Sequence, residues 1–585
     1  MKQAKHCTTK KPVIYQMLPR LFANYNASCV PNGSIIRNGC GKLNDIDRTV
    51  LKAISDLGAT HIWYTGIIEH AHCSDYTSFG IRRDNPIVVK GQAGSPYAIK
   101  DYYDIDPDLA VSVPDRIAEF ESLVRRTHRE GMKVIIDFVP NHVARQYHSD
   151  AAPSTVKDFG EDDDNTRFFA PDNNFYYIPR QKFVPAADIT ADGEEYVEFP
   201  AKASGNDCFT AFPGKYDWYE TVKLNYGIDY GDLSTHFDPI PDTWHKMLDI
   251  LEYWTAKGID GFRCDMAHMV PVEFWRWAIP RVKRHNPELI FIAEIYDVWL
   301  YRSYLDAGFD YLYDKVNLYD TLRAIQTGNT SAAAITNCWQ TVDGIAAKML
   351  NFLENHDEQR FASSQYAGDA SLAVPSLIVS SMLNTGAMMI YAGQELGEKA
   401  ADAEGYSGLD GRTTIFDYWS VPTLRRWLNN GNPGNDNLTP QETALRDTYR
   451  RILHLCNSED AISSGAFFDL MYVNYETAGF NPHRQYAFLR RGKNATLLIA
   501  VNFDSTDART VINIPAHAFE CLGVEPQTAS KAKELLSGAR QCIKPFTPDT
   551  PFETDIPAHG AVIWRIPDAK ASDTRQFIKP KHTTL

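Results

Sequence analysis

Four short apolar runs in this chain each end in polar side chains that can carry chemistry. They are VIIDFVPNHV, GIDGFRCDMAH, LIFIAEIYD and MLNFLENHDE, which begin at Val134, Gly258, Leu289 and Met349. Continuous apolar runs of this length are typical of parallel strands that are buried on both faces. In a (β/α)8 barrel, the carboxyl ends of the strands meet at one face, and that face carries the active site. The pattern therefore predicts an α/β protein built on a (β/α)8 TIM barrel.

The chain supplies the full number of strands for such a barrel. The eight candidates are Val13 to Leu18, His61 to Thr65, Lys133 to Phe138, Asp260 to Asp265, Leu289 to Glu294, Tyr311 to Asp314, Met349 to Glu354 and Ala387 to Tyr391. Helical patterns separate them, for example over residues 47–58, 115–131 and 242–258. These patterns begin with Asp and end at Gly, which is the usual asymmetry of helix caps.

The chain is too long for one hydrophobic core. It has 585 residues, and cores stop growing well below that length. The segment between strand three and helix three is far longer than an ordinary connection, so we predict an excursion domain at residues 143–240. Short strands dominate after the last helix, which predicts a C-terminal β-sandwich at residues 458–567. The barrel then takes residues 11–142 and 241–457.

One pair of residues indicates a specific catalytic role. Arg263 precedes Asp265 by two positions on a predicted strand, so both side chains project from the same face. An adjacent guanidinium lowers the pKa of an aspartate and keeps it ionised, as a nucleophile requires. Taken alone, the pair is equally consistent with an ordinary buried ion pair.

The four segments together resemble the motifs of glycoside hydrolase family 13, the α-amylase family. GATHIWYTGI, GSPYAIKDYYDID, TVKLNYG and MMIYAGQELG extend the resemblance in the same order along the chain. The Lys-Leu-Asn of TVKLNYG is similar to the neopullulanase-like variant of that motif. The chain is thus identified as a neopullulanase-like or bacterial α-amylase-like member of the family.

The resemblance implies a set of site residues. Cleavage of a glycosidic bond needs an acid and a second carboxylate. Asp265 is then the nucleophile and Glu294, which ends an apolar run, is the acid with a raised pKa. Asp357 is implied as the third catalytic carboxylate, which binds sugar hydroxyls and distorts the ring. Four further residues are implied to bind substrate: Tyr97, His142, Arg263 and His356.

No cofactor is required for this chemistry, but the resemblance implies a structural calcium ion. The asparagine matching Asn141 binds calcium in many family members, with oxygen ligands from the excursion domain. The acidic run near Asp162 could supply some of them. Amylases carry a Lys-His pair where this chain has His268 and Met269, and in those enzymes the pair helps form acceptor subsites and contacts calcium.

Charge and hydropathy restrict the partners. The formal net charge of −15 argues against nucleic acid or an anionic membrane as partner, whereas a neutral α-glucan is compatible with it. The N-terminal MKQAKHCTTKKPVIYQM lacks the apolar core of a signal peptide, and no segment has 18 consecutive apolar residues. We therefore expect a cytoplasmic protein without a membrane partner. The oligomeric state stays open.

The predicted function is that of a retaining α-glucan hydrolase. It would cleave α-1,4 links of maltodextrin or starch fragments through a glycosyl-enzyme intermediate. An α-glucan transglycosylase uses the same intermediate and is the first alternative, because the shape of the acceptor site decides whether water or a sugar reacts. A non-catalytic carbohydrate-binding relative is the alternative from another class, although such relatives typically lose catalytic carboxylates.

Overall fold

Eight parallel strands close into the predicted barrel. The computed structural model describes residues 11–189, 191, 194–538 and 541–569. The barrel strands are β1 (Val13–Met17), β2 (His61–Tyr64), β3 (Lys133–Phe138), β4 (Gly261–Cys264), β5 (Ile290–Ala293), β6 (Tyr311–Tyr313), β7 (Met349–Phe352) and β8 (Ala387–Tyr391). Each strand pairs with its neighbours in chain order, and β8 pairs with β1. All eight predicted strands are confirmed, with ends within two residues of the prediction.

The register of the sheet brings the polar strand ends together. Arg263 of β4 lies opposite Asp137 of β3, and Cys264 lies opposite Ala293 of β5. The next residues along these two strands are Asp265 and Glu294, so parallel pairing places them side by side at the carboxyl face. The adjacency therefore follows from the backbone alone.

The barrel interior is filled by side chains. Aromatic and branched residues from alternating positions form one buried cluster, which includes Ile14, Trp63, Ile135, Ile292, Tyr313, Leu350, Phe352 and Met389. A packed interior of this kind makes the barrel a solid core with no pore. Its carboxyl face is thus a rigid platform for the loops and polar side chains above it.

Helices surround the barrel between the strands. The α-helices are Pro19–Phe22, Ile35–Asn38, Arg48–Leu57, Arg116–Arg129, Asp242–Ala256, Val272–Lys283, Tyr301–Ala307, Asp320–Gln326, Ile335–Thr341, Val374–Met382, Pro422–Leu428, Pro440–Ser458, Asp460–Ser463 and Ala516–Leu522. The helix Arg48–Leu57 begins after Asp47, whose side chain accepts hydrogen bonds from two backbone N–H groups, and ends at the left-handed Gly58. These are the caps predicted for this helix. The other two predicted Asp caps are wrong, because Asp115 makes no capping hydrogen bond and Asp242 lies inside its helix after Pro241.

Irregular segments with short antiparallel strand pairs cover the carboxyl face. One hairpin pairs Ile68–His70 with Ile99–Ile105 in the long connection after β2. In the segment predicted as the excursion domain, the pairs are His142–Ala144 with Thr221–Lys223, Tyr177–Ile178 with Ala201–Lys202, and Ile228–Asp229 with Ser234–Thr235. The division at residues 143–240 stays a prediction.

The C-terminal region is antiparallel, as the β-sandwich prediction requires. A six-stranded sheet contains, in spatial order, Ala466–Asp469, Gln485–Arg491, Ala495–Asn502, Gly560–Pro567, Gln527–Glu534 and Cys542–Phe546. A second sheet pairs Ala508–Ile512 with Phe552–Ile556. The rings of Phe552 and Trp564 pack edge to face between the two sheets, at 5.8 Å.

No helix within the described ranges combines the length and the apolar character needed to span a bilayer. The first ten residues, on which part of the signal-peptide argument rests, lie outside the described residues.

Two glycines at helix ends provide a test of the packing around the barrel. Gly58 has φ +115°, and an added Cβ would lie 2.8 Å from the Cβ of Leu453 in the last long helix. Gly131 has φ +77°, and no heavy atom of the described residues lies within 4 Å of an added Cβ. We expect Gly131→Ala to cost about 1 kcal/mol through backbone strain, and Gly58→Ala to cost about 3 kcal/mol because a clash adds to the strain. Thermal denaturation of both variants checks this, and equal losses would contradict it.

Candidate active site

Arg263 lies at the centre of the acidic cluster on the carboxyl face. Its side chain is fully buried. Nη1 lies 2.6 Å from Asp265 Oδ1 and 3.5 Å from Asp137 Oδ1, while Nη2 lies 2.6 Å from Glu294 Oε2. A guanidinium carries its donors in a fixed planar fork. Arg263 therefore fixes the positions of Asp265 and Glu294 relative to each other.

Glu294 is held by two further donors. Tyr296 donates its hydroxyl to Oε1 at 2.6 Å, and the backbone N–H of Met266 donates to Oε2 at 2.8 Å. Met266 has left-handed backbone angles, φ 41° and ψ 44°, which are strained for a residue with a side chain. The strained turn directly after Asp265 is what directs this N–H toward Glu294.

The pKa of Asp265 differs from the expectation based on sequence. Burial raises the pKa of Asp265 well above its ordinary value; Arg263 opposes this rise and Glu294 adds to it. The expected lowering of this pKa is wrong, because burial outweighs an ion pair that Asp265 shares with Glu294. Asp265 and Glu294 share the single guanidinium of Arg263, so the ion pair compensates only part of the cost of burying Asp265.

The pKa of Asp357 is shifted in the opposite direction. Burial by itself would raise its pKa, but the charge and hydrogen bond of His356, together with Arg263 and Arg412, lower the pKa to about 2. His356 Nε2 lies 3.0 Å from Asp357 Oδ2, and the Asp357 side chain is 40% exposed. Asp357 is therefore an ionised carboxylate that faces the cleft.

His356 is fixed from both sides. Its Nδ1 lies 2.7 Å from Gln16 Nε2, and its Nε2 lies 2.5 Å from the hydroxyl of Tyr97. The rings of Tyr97 and His356 stack at 5.1 Å. The structure thus brings both residues, which were predicted to bind substrate, next to Asp357.

His142 lies beside Tyr97, whose backbone it contacts, where the excursion segment begins. Burial and the nearby Lys223 lower the pKa of His142 to about 3, so the imidazole is neutral. Its ring lies 5.1 Å from the ring of Trp218. A neutral imidazole beside an indole can accept or donate a hydrogen bond to a sugar hydroxyl.

Most of the predicted residues line one cleft with a volume of about 290 Å³. Its lining consists of Lys90, Ser95, Tyr97, His142, Trp218, Glu220, Thr221, Asp265, Met266, Glu294, Tyr296, Asp357, Ile415 and Phe416. Arg263 and His356 support this lining from behind. A larger cavity of about 820 Å³ beside the C-terminal sheets contains none of the predicted residues. We therefore place the candidate active site in the smaller cleft, where the carboxyl groups converge.

The surroundings of Asn141 do not fit a calcium ion. The ammonium of Lys223 lies 2.5 Å from Asn141 Oδ1, 3.3 Å from the carbonyl of Met269 and 2.7 Å from Asp207 Oδ1. These are the kinds of oxygen that calcium would take. A cationic side chain of the protein already neutralises them, so the group is complete without a metal.

The carboxylates of the acidic run near Asp162 make local contacts within the excursion segment. Asp162 pairs with Lys157 at 2.7 Å on the surface. Asp163 accepts hydrogen bonds from the backbone N–H groups of Asn174 and Phe175. No contact of either carboxylate with Asn141 occurs in the described part of the chain.

Four residues of the site were missed in the sequence analysis. Tyr296 follows Glu294 by two positions, and Gln16 is the penultimate residue of β1 (Val13–Met17), so the rule that strand ends carry function would have found both. Lys90 and Glu220 form a buried ion pair at 3.0 Å in the wall of the cleft. They come from irregular loops without periodic patterns, so no local signal pointed to them.

The comparisons with known proteins agree with this geometry. Residues 16–453 match the family described as "Alpha amylase, catalytic domain". Neopullulanase 2 of Thermoactinomyces vulgaris is 24% identical over 409 residues, which cover 67% of this chain and 57% of that protein. A cyclomaltodextrinase of Bacillus sp. is 22% identical over 539 residues, with coverage of 88% and 75%.

Solved structures share the fold. A noncanonic maltogenic alpha-amylase from Thermotoga neapolitana superposes with a TM-score of 0.61 at 18% identity, covering 96% of this chain and 99% of that one. An alpha-amylase from Geobacillus thermoleovorans, complexed with acarbose, gives 0.61 at 17% identity, with the same coverage. The chain nevertheless spans only a little over half the length of the first curated relatives that it matches.

The raised pKa of Asp265 predicts an unusual acid limb of activity. As pH falls through this pKa, Asp265 gains a proton and loses its nucleophilicity, whereas Asp357, with a pKa of about 2, stays ionised. We expect kcat/KM to fall at a pH clearly above about 3.9, the ordinary aspartate value. A pH profile of kcat/KM measures this, with circular dichroism showing that the protein stays folded. An acid limb below that value would contradict the assignment.

Replacement of Lys223 tests the cation at Asn141. Lys223→Met leaves buried oxygen atoms without a donor, so we expect a loss of about 1–3 kcal/mol in stability. The control Lys157→Met removes an exposed ion pair and should not move the melting midpoint measurably. Added calcium should leave the midpoint of the wild-type protein unchanged. A rise with calcium, or equal shifts for both variants, would contradict this account.

Proposed function

We propose that this chain, which belongs to the α-amylase family, is a retaining α-glucan hydrolase. Its substrates would be maltodextrins or starch fragments, cleaved at α-1,4 links. One observation carries the proposal: three carboxyl groups, those of Asp265, Glu294 and Asp357, converge on one cleft around the buried Arg263.

In the first step of the proposed reaction, Glu294 acts as the acid and gives its proton to the glycosidic oxygen of the leaving sugar. Ionised Asp265 then attacks the anomeric carbon, and a covalent glycosyl-enzyme forms while the glycosidic bond breaks. Arg263 remains in contact with both groups, so the cation compensates the charge that moves between them.

The second step reverses these roles. Glu294, now ionised, removes a proton from water, and the resulting nucleophile displaces Asp265 from the anomeric carbon. Two displacements at one carbon retain its α configuration. We assign this chemistry to side chains of the chain and to no cofactor.

The remaining residues are proposed to hold the sugar. Ionised Asp357 accepts hydrogen bonds from sugar hydroxyls and strengthens them as positive charge develops on the ring. Tyr97 offers an aromatic face and His142 an imidazole in the same cleft, while His356 holds Tyr97 and Asp357 in position from behind. Trp218 extends the aromatic wall beside His142.

Two alternatives are decided by experiment. A transglycosylase would use the same glycosyl-enzyme but transfer it to a sugar. A non-catalytic carbohydrate-binding relative is disfavoured, since all three carboxyl groups are present and in contact with their partners. The named relatives, a neopullulanase and a cyclomaltodextrinase, support an α-glucan as the substrate class.

Leaving-group dependence tests the two catalytic roles. Asp265→Asn should nearly abolish turnover of every substrate, because no nucleophile remains. Glu294→Gln should spare the first step for activated aryl glycosides, whose leaving groups need no proton. Steady-state and burst kinetics with good and poor leaving groups measure the difference. Equal loss with both kinds of leaving group in Glu294→Gln would contradict the assignment of Glu294 as the acid.

Product analysis tests the overall proposal. With maltoheptaose, we expect only shorter products, and NMR should show the α anomer first. Products longer than the substrate would indicate a transglycosylase. A β anomer would contradict the retaining mechanism, and binding without any cleavage would favour the non-catalytic relative.

A further inference from the structure

The imidazole of a buried histidine outside the cleft makes no hydrogen bond in the described part of the chain. His72 follows the strand Ile68–His70 and is only 1% exposed. Within the described ranges, neither of its ring nitrogens makes a hydrogen bond. A buried polar group without a partner carries a desolvation cost of about 1–3 kcal/mol. Such a group therefore indicates that something else occupies the space beside it.

Two buried aspartates face this imidazole. A ligand atom of His72 and one carboxylate oxygen each of Asp106 and Asp108 all lie within 4.8 Å of one another. Both aspartates are 1% exposed. Zinc ligands lie about 2.0–2.2 Å from the ion.

The side-chain donors to Asp108 in the described part of the chain are neutral hydroxyls. Asp108 accepts hydrogen bonds from the hydroxyls of Tyr76 and Tyr418, at 2.8 and 2.6 Å. No Lys or Arg side chain of the described residues forms an ion pair with Asp106 or Asp108. Two buried negative charges with neutral donors are costly unless a cation is close.

His70 lies between Asp106 and Arg20. Its Nδ1 lies 2.9 Å from Asp106 Oδ2 and 3.1 Å from the carbonyl oxygen of Ile68, and its Nε2 lies 3.1 Å from Arg20 Nη1. By hydrogen-bond geometry, Asp106 Oδ2 nevertheless has no donor in the described part of the chain.

We propose that His72, Asp106 and Asp108 bind a divalent transition-metal ion, with Zn²⁺ as the test case. One imidazole nitrogen with two carboxylates suits zinc and its neighbours better than calcium, which takes oxygen ligands. His70 would orient Asp106, and the two tyrosines would orient Asp108, as outer partners commonly do.

The site would hold two walls of the cleft together. Asp106 and Asp108 follow the strand Ile99–Ile105, which directly follows Ser95 and Tyr97 of the cleft lining. Tyr418, which contacts Asp108, follows Ile415 and Phe416, which line the same cleft from a distant segment of the chain. The proposed role is structural, and it does not depend on the reaction that the cleft catalyses.

A neighbouring acidic cluster already carries its own cations. Glu69, Asp101 and Asp104 also lie close together. Lys100 Nζ lies 3.7 Å from Glu69, however, and Arg116 pairs with Asp104. This second cluster therefore needs no metal for its charge, and it serves as a reference in the experiment.

The test measures metal content directly. Full-length protein is stripped with a chelator, given Zn²⁺, passed through a desalting column and analysed by mass spectrometry for metal. We expect one tightly held equivalent in the wild type and in Glu69→Gln, and none in His72→Gln. Asp108→Asn is a second variant, expected to bind at least about tenfold more weakly, in case His72→Gln does not fold.

A surface pair provides the matched control. Cys521 Sγ lies 3.0 Å from His517 Nε2 on an exposed helix and could hold zinc adventitiously. His517→Gln should keep the tightly held equivalent. Zn²⁺ should raise the melting midpoint of the stripped wild type and of His517→Gln, but not that of His72→Gln. A wild type that retains no zinc, or an equivalent lost in His517→Gln and kept in His72→Gln, would overturn the proposal.

Discussion

The double ion pair of Arg263 is the interaction on which the candidate site depends. A fully buried guanidinium contacts Asp265 and Glu294 at 2.6 Å each, inside a barrel that excludes water from it. The desolvation of one cation is offset only if several carboxyl groups surround it. The acidic groups in turn would repel one another without the cation. The barrel thus stabilises a charge cluster that no single strand could hold, and the register of β3, β4 and β5 sets its spacing.

Much of the fold was predictable, because buried parallel strands leave a strong pattern. Runs such as Val134–Ile136 are apolar, are buried on both faces and end where polar residues begin. The convergence of Asp265 and Glu294 also follows from this pattern, since parallel strands in register end together. The raised pKa of Asp265, which results mainly from burial and is increased further by Glu294, was not predictable from the sequence. Spacing along one strand assigns Arg263 to Asp265 alone, whereas the contact with Glu294 crosses to the next strand.

Three charged residues around the cleft and Asn141 were not predicted, because they lie in segments without a regular pattern. Lys90, Glu220 and Lys223 come from segments without a period of 2 or 3.6, so the chain gives no local sign of where their side chains point. Lys223 is the clearest case: resemblance suggested calcium near Asn141, but an ammonium lies among the same oxygens. Both His72 and Lys223 show that charge balance in buried loops depends on contacts between distant segments.

The central claim is that the cluster around Arg263 makes Asp265 the nucleophile. Trapping the intermediate tests this most directly. The protein would be incubated with a fluorinated glucosyl fluoride that slows the second step, then digested and mapped by peptide mass spectrometry. The account predicts one glycosylated peptide with the sugar on Asp265. A sugar on Glu294 or Asp357, or turnover without any covalent adduct, would contradict it.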